Sequence, residues 1–165
     1  AAICYCGGIA PDAIERGLRE FQGVEHRIEL CNEIDGIRFV NDSKGTNPDA
    51  AIRAIEAMKR DIILIAGGYD KGASFDEFVN AFDGKVKALV LLGKTATKIK
   101  EAAEKAGFTN TVLLKDMEAC VREAYRLAES GDVVLLSPAC ASWDMYSNFE
   151  QRGEHFKSCV QELER

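Results

Sequence analysis

"DIILIAGGYDKG" (Asp61 to Gly72) decides how the chain folds. Five apolar residues, Ile62 to Ala66, run unbroken into Gly67 and Gly68. A strand with one face in water alternates apolar and polar residues, so an unbroken run calls for cover on both faces. Similar runs recur in "VKALVLLG" (86–93), "TVLLKD" (111–116) and "DVVLLSP" (132–138). Helices are expected at 48–58, 75–82, 95–106 and 117–129. Strand and helix alternating at short spacing predict an α/β, Rossmann-like open sheet, mostly parallel, with helices on both faces. Upstream, "RIELCNEIDGIRFVND" (27–42) reads as an antiparallel hairpin turning at Asp35-Gly36. A last helix is expected from Phe149 to Leu163, with Phe149, Phe156, Val160 and Leu163 facing inward. Residues 11–21 predict a short helix with Pro11 in its first turn and Ile14, Leu18 and Phe21 on one face, ended by Gly23.

The 165 residues and 18.1 kDa fit one domain, or one domain with a fragment of another. A net charge of −6 without clustered Lys and Arg argues against nucleic acid or an anionic membrane as partner. The six cysteines include no C-x-x-C pair, and His26 and His155 lie far apart, so no metal site is expected. Cysteines dispersed in apolar runs read as buried, reduced thiols of a cytoplasmic protein. Cys140 lies in a polar loop with no histidine near it in sequence and is rejected as a nucleophile. "AAICYCGGIA" (1–10) is too short to span a membrane, lacks a basic leader and begins without Met, so the chain is expected to be a piece of a longer protein.

Ligands of such sheets bind outside the carboxyl ends of the strands, and three loops there are chemically unusual. The first, "FVNDSKGTNPDA" (39–50), crowds Asp42, Ser43, Lys44 and Thr46 before a helix start, with Asn47 as N-cap and Pro48 at the first helical position. Free N–H groups there favour an anion, although Asp42 and Lys44 could form a plain ion pair. The second, "GGYDKGAS" (67–74), pairs two flexible glycines with Lys71. Its Ser74 is expected to form a capping box with Glu77. The third, "SPACASWDMYSNFEQRGEHF" (137–156), carries Ser142, Trp143 and Asn148. Asn148 is expected to cap the last helix and turn the Phe149 N–H outward, with Gln151 in a looser capping box. Trp143 reads as core, a lid being the other option. Gly93-Lys94-Thr95 imitates the tail of a phosphate-binding P-loop, but Ala88 stands where its first glycine belongs. "GGYDKGAS" fails the same test, so the chain has no P-loop.

Taken in order, "EHRIEL", "NDSKGTN", "GGYDKG" and "LLSPACASWDMYSNFEQRGEHF" resemble the C-terminal domain of the Mur ligase family, at its D-glutamate-adding branch. The resemblance spans essentially the whole chain. It implies that residues 1–24 are the terminal helical remnant of a central ATPase domain and that 25–165 form the C-terminal, amino-acid-binding domain. It further implies an ADP-forming ligase in which ATP phosphorylates UDP-N-acetylmuramoyl-L-alanine. The amine of D-glutamate then attacks the acyl phosphate, giving a tetrahedral intermediate. On that resemblance Arg27 and Asp42 contact the nucleotide, and His26 and Lys44 lie near the phosphates or the intermediate as catalytic residues. Thr46 and Lys71 hold one carboxylate of D-glutamate; Ser142, with backbone at Trp143 and Phe149, holds the other. ATP and Mg²⁺ are the implied cofactors, most Mg²⁺ ligands lying outside this chain. The isolated chain is expected to be inactive. Gly45 departs from the family, where alanine is common, and is expected to loosen its loop without removing a contact. A stand-alone Rossmann-like module binding a nucleotide or small dianion is the rival reading.

Overall fold

The computed structural model describes residues 1–21, 23–59 and 61–164. It contains the expected sheet: β1 (Glu29–Ile34), β2 (Ile37–Asn41), β3 (Ile62–Ala66), β4 (Val86–Leu91), β5 (Thr111–Leu113) and β6 (Val133–Leu136) lie in the order β1-β2-β6-β3-β4-β5. Only the β1/β2 pair is antiparallel. Its turn residues Asp35 (φ 52°) and Gly36 (φ 78°) both adopt the left-handed backbone that a two-residue hairpin turn matched to strand twist demands.

The unbroken apolar runs work by alternation between two cores. Ile62, Leu64 and Ala66 point to one face, where α3 (Pro48–Ala57), α4 (Asp76–Asn80) and α5 (Ala96–Lys105) cover them. Ile63 and Ile65 point to the other, under α6 (Met117–Leu127) and α7 (Phe149–Glu162). The chain steps outward through β2, β3, β4 and β5, then returns through α6 to lay β6 between β2 and β3. With crossovers of one hand, that reversal places α6 on the opposite face from α3, α4 and α5. It also brings the ends of β2, β6 and β3 side by side.

Several local expectations change. α4 begins at Asp76, and Ser74 bonds to Asp76 (Oγ to Oδ2, 2.7 Å) instead of forming a box with Glu77, because Phe75 occupies the cap position with its ring in the core. Asn148 does cap α7 through the Gln151 N–H, and the Gln151 side chain reaches back to the Ser147 N–H. Phe156 and Val160 are buried, whereas Phe149 and Leu163 are half-buried. The opening residues form a short helix, α1 (Ala2–Cys6), for which the residue pattern alone gave no signal. Neither α1 nor α2 (Pro11–Glu20) buries a residue, and Leu18 and Phe21 are exposed. Cys120, Cys140 and Cys159 are buried as expected, but Cys6 is exposed. No described helix is long and apolar enough to cross a membrane.

Gly153 is fixed by packing. A Cβ there would lie 2.3 Å from His26 Nδ1 and 3.0 Å from Asn41 Nδ2. Gly153→Ala should therefore destabilise the chain by about 1–3 kcal/mol despite the better helix propensity of alanine, as read by denaturant unfolding.

Candidate functional site

The loops after β2, β6 and β3 are stitched together by backbone. Asp42 N–H donates to Leu136 O (2.7 Å), Gly67 N–H to Pro138 O (2.9 Å) and Tyr69 N–H to Ala141 O (2.8 Å). The two glycines that follow β3 allow this approach. Gly67 (φ 113°) and Gly68 (φ 145°) hold backbone that side chains avoid, and a Cβ at Gly68 would sit 2.3 Å from Ala141 O.

One side chain that the sequence reading overlooked ties this edge together. Arg152 is 2% exposed and donates through Nε to Ser43 Oγ (3.0 Å), Nη2 to Ser43 O (2.8 Å) and Nη1 to Cys140 O (3.1 Å). Among the described residues no carboxylate lies within ion-pair distance of it, and burial pulls its guanidinium down to about 10. The signal was present: Arg152, Phe156, Cys159 and Val160 share the i, i+4, i+7, i+8 spacing of a buried helix face. A charge on such a stripe needs buried acceptors, and two loop carbonyls and a hydroxyl supply them.

Thr46 and Lys71, placed together by resemblance, line one cavity of about 170 Å³ with Asn47, Tyr69, Gly72 and Cys140. Lys71 is exposed and, among the described residues, belongs to no ion pair; its ammonium stands 5.9 Å from the Trp143 ring centroid. The α3 start is a weaker anion site than its sequence implies. Asn47 Oδ1 already takes the Ala50 N–H, Pro48 has no N–H, and Asp49 sits in the first turn. Thr46 and Lys71 remain as donors to an anion there, beside Asn47 and Tyr69, while the Asp70 carboxylate that also lines the cavity is paired with Lys98 (2.9 Å). Cys140 is no nucleophile: it is buried beside the Thr95 hydroxyl, and burial pushes its thiol up to about 11.

Ser142, Trp143 and Phe149 do not line that cavity. Ser142 is buried, and its carbonyl accepts from the Met145 and Tyr146 N–H groups. Trp143 is 63% exposed, which overturns the expectation of a core residue. Its turn is fastened to the loop after β4, where Asp144 Oδ2 accepts the Lys94 N–H (2.9 Å). Phe149 sits at the other side of the edge, its carbonyl accepting from Ser43 Oγ (2.8 Å) and its ring lying 5.5 Å from the Lys44 ammonium.

His26 and Asp42 are anchors inside the edge. The His26 carbonyl accepts the Lys44 N–H (3.0 Å), and its ring is 5% exposed, edge-on to Phe149. Asn41 Oδ1 accepts the Ser43 N–H, so Asn41 Nδ2 donates to His26 Nδ1 (2.9 Å) and the ring proton lies on Nε2, facing Glu154 Oε1 at 3.7 Å. Asp42 forms no ion pair with Lys44; it accepts from Ser137 Oγ (2.8 Å). Gly45 does more than loosen the loop, since a Cβ there would lie 2.6 Å from Asp42 Oδ2. Arg27, exposed, lends its charge to Asp42. The acids Glu25 and Glu154 gather near His26, but the Lys157 ammonium already sits 2.7 and 2.6 Å from them, so this cluster does not suit a divalent cation.

A family model described as "Mur ligase, glutamate ligase domain" matches residues 26–140. The chain belongs to the Mur ligase family. It is 59% identical over its whole length to a UDP-N-acetylmuramoylalanine--D-glutamate ligase of Caldanaerobacter subterraneus subsp. tengcongensis, and 52% identical over 98% of its length to one from Clostridioides difficile. The chain spans 37% and 36% of those two relatives. Among solved structures, UDP-N-acetylmuramate-alanine ligase MurC of Thermotoga maritima superposes with a TM-score of 0.71 at 16% identity, over 98% of this chain and 36% of that one. A bifunctional folylpolyglutamate synthase/dihydrofolate synthase of Yersinia pestis, complexed with AMPPNP and Mn ion, gives 0.62 at 17%, over 95% of this chain and 35% of that one. At those identities the likeness extends to the fold.

Burial pushes the Asp42 carboxyl up, against the Ser137 hydrogen bond and the charges of Arg27 and Arg152. A carboxyl with a raised folded-state pKa costs stability while ionised, and the cost disappears as falling pH protonates it. Asp42→Asn should then melt above the unsubstituted chain at pH 7, with the gap closing as pH falls through the acid range. Thermal melts across pH read this directly, and a gap that widens in acid contradicts it.

Proposed function

We propose that the chain is the amino-acid-binding domain of an ATP-dependent, ADP-forming ligase that joins D-glutamate to UDP-N-acetylmuramoyl-L-alanine in peptidoglycan precursor synthesis. Residues 25–165 form that domain, and 1–24 are the helical end of the domain before it. The observation that carries the reading is the convergence of Thr46 and Lys71 in one small cavity, on a chain 59% identical throughout to a ligase of that name.

In this reading Thr46 Oγ and the Lys71 ammonium receive one carboxylate of D-glutamate. Ser142 and the backbone N–H groups of Trp143 and Phe149 receive the other. Lys44 supplies positive charge where negative charge gathers on the acyl phosphate and the tetrahedral intermediate. Arg27 and Asp42 face the nucleotide side of the cleft, the exposed Arg27 charge acting on the buried Asp42 carboxylate. His26 acts through its carbonyl on the Lys44 backbone; its one ring lone pair is taken by Asn41, which leaves none for general-base work. The amine attacks the acyl carbon, and collapse of the intermediate expels phosphate. Catalysis on this side of the cleft is positioning and charge. Mg²⁺, when bound, would neutralise phosphate charge, and most of its ligands belong to residues outside this chain.

The test is an NMR titration of the labelled chain with D-glutamate, L-glutamate and ATP separately. D-glutamate should shift Thr46, Lys71, Ser142 and Phe149, and L-glutamate should not. Equal shifts with both enantiomers would favour a general dianion-binding module. In the full-length ligase, Lys71→Ala should raise the KM for D-glutamate about tenfold to a hundredfold, the value of a lost charge-assisted bond. The isolated chain should show no ligase turnover.

A further inference from the structure

An exposed tryptophan beside the cavity calls for an explanation that the roles above do not supply, since only its backbone was invoked. Four side chains alternate in a row, of which Tyr69 and Lys71 line the cavity. The Lys94 ammonium lies 5.8 Å from the Tyr69 ring centroid, the Tyr69 and Trp143 rings are 5.7 Å apart, and the Lys71 ammonium lies 5.9 Å from the Trp143 centroid. Both aromatic residues are fixed by backbone. Tyr69 N–H bonds to Ala141 O, and Asp144 Oδ2 fastens the Trp143 turn to the Lys94 N–H at 2.9 Å. Among the described residues Lys71 has no ion pair, and next to it the loop is held by the Gly72 N–H on Asp70 Oδ1 and by the Asp70–Lys98 pair. A lysine on a flexible four-carbon stem loses rotamer freedom when it must meet a carboxylate.

We propose that the Trp143 ring is a positioning residue that holds the Lys71 ammonium at the cavity mouth, and so tunes affinity for an amino-acid dianion. The ring quadrupole attracts the ammonium without cancelling its charge. The cation is restrained yet still available to a carboxylate, which a salt bridge at the same place would not allow. Tyr69 backs the indole on the side toward Lys94, completing the row. The inference rests on the assignment of Lys71 to a substrate carboxylate, but the restraint itself is measurable with no ligand present.

The experiment is NMR on the 165-residue chain, unsubstituted and as Trp143→Phe and Trp143→Ala, before and during titration with D-glutamate. Trp143 is exposed, so neither substitution removes core packing. In the free chain the Lys71 ε-methylene should lie upfield of that of exposed Lys115 through the indole ring current, and Trp143→Ala should abolish the difference. The Kd for D-glutamate should weaken about two- to fivefold in Trp143→Ala and change less in Trp143→Phe, the range of an exposed cation–π contact. Because Trp143 is the only tryptophan, intrinsic fluorescence gives a second reading of the same event. An unshifted ε-methylene, or an unchanged Kd in Trp143→Ala with normal shifts at Thr46, overturns the positioning role and leaves the carboxylate site standing. A ring-current shift in a chain that binds no D-glutamate supports the positioning of Lys71 and counts instead against a preformed carboxylate site.

Discussion

A single buried guanidinium ties together two of the three loops at this sheet edge, and the backbone brings in the third. Arg152 projects from α7 between the loop after β2 and the loop after β6 and satisfies backbone and side-chain acceptors in both. Its alternatives are costly. Removing it would leave the Ser43 and Cys140 carbonyls buried without a donor, and each such orphan costs about 1–3 kcal/mol. The loop after β3 joins through its own backbone, because Gly68 lets it pass against Ala141. Shape at the edge therefore comes from glycines and one arginine, while the residues assigned to substrate stand on that frame.

The same arrangement divides labour between buried and exposed charge. Arg152, Asp42 and His26 are inside and engaged by neighbours; Arg27, Lys71 and Lys94 are outside. The chain as a whole is acidic, yet the cations Lys44 and Lys71 face this edge beside aromatic rings rather than carboxylates. Rings restrain a lysine without neutralising it, so positive charge remains for an incoming anion. Such an arrangement suits the dianionic amino acid proposed above, and it needs no nucleophile.

Much of this was legible in the residues. Unbroken apolar runs implied a sheet covered on both faces, and Asp35-Gly36 marked the one antiparallel turn. Asn47 and Asn148 announced their helices. What sequence could not convey was which polar residues of a crowded loop turn inward. "NDSK" reads as four equivalent polar side chains, but Asn41, Asp42 and Ser43 are buried and only Lys44 reaches outward. That sorting depends on Ser137, His26 and Arg152, which are distant along the chain. Trp143 differs for the opposite reason: a lone large aromatic is usually buried, and nothing local in the sequence shows that this one sits exposed on a turn whose Asp144 bonds to the distant Lys94 N–H.

Amide hydrogen exchange on the unliganded chain and on Arg152→Lys tests the central claim most directly. A lysine keeps the charge but loses the planar fork that reaches three acceptors. In the unsubstituted chain the Asp42, Lys44, Gly67 and Tyr69 amides should exchange slowly without any ligand. In Arg152→Lys those of Asp42 and Lys44 should exchange markedly faster while the β3 amides of Leu64 and Ile65 keep their protection. Loop amides that exchange freely in the unsubstituted chain, or that are indifferent to the substitution, would contradict the account.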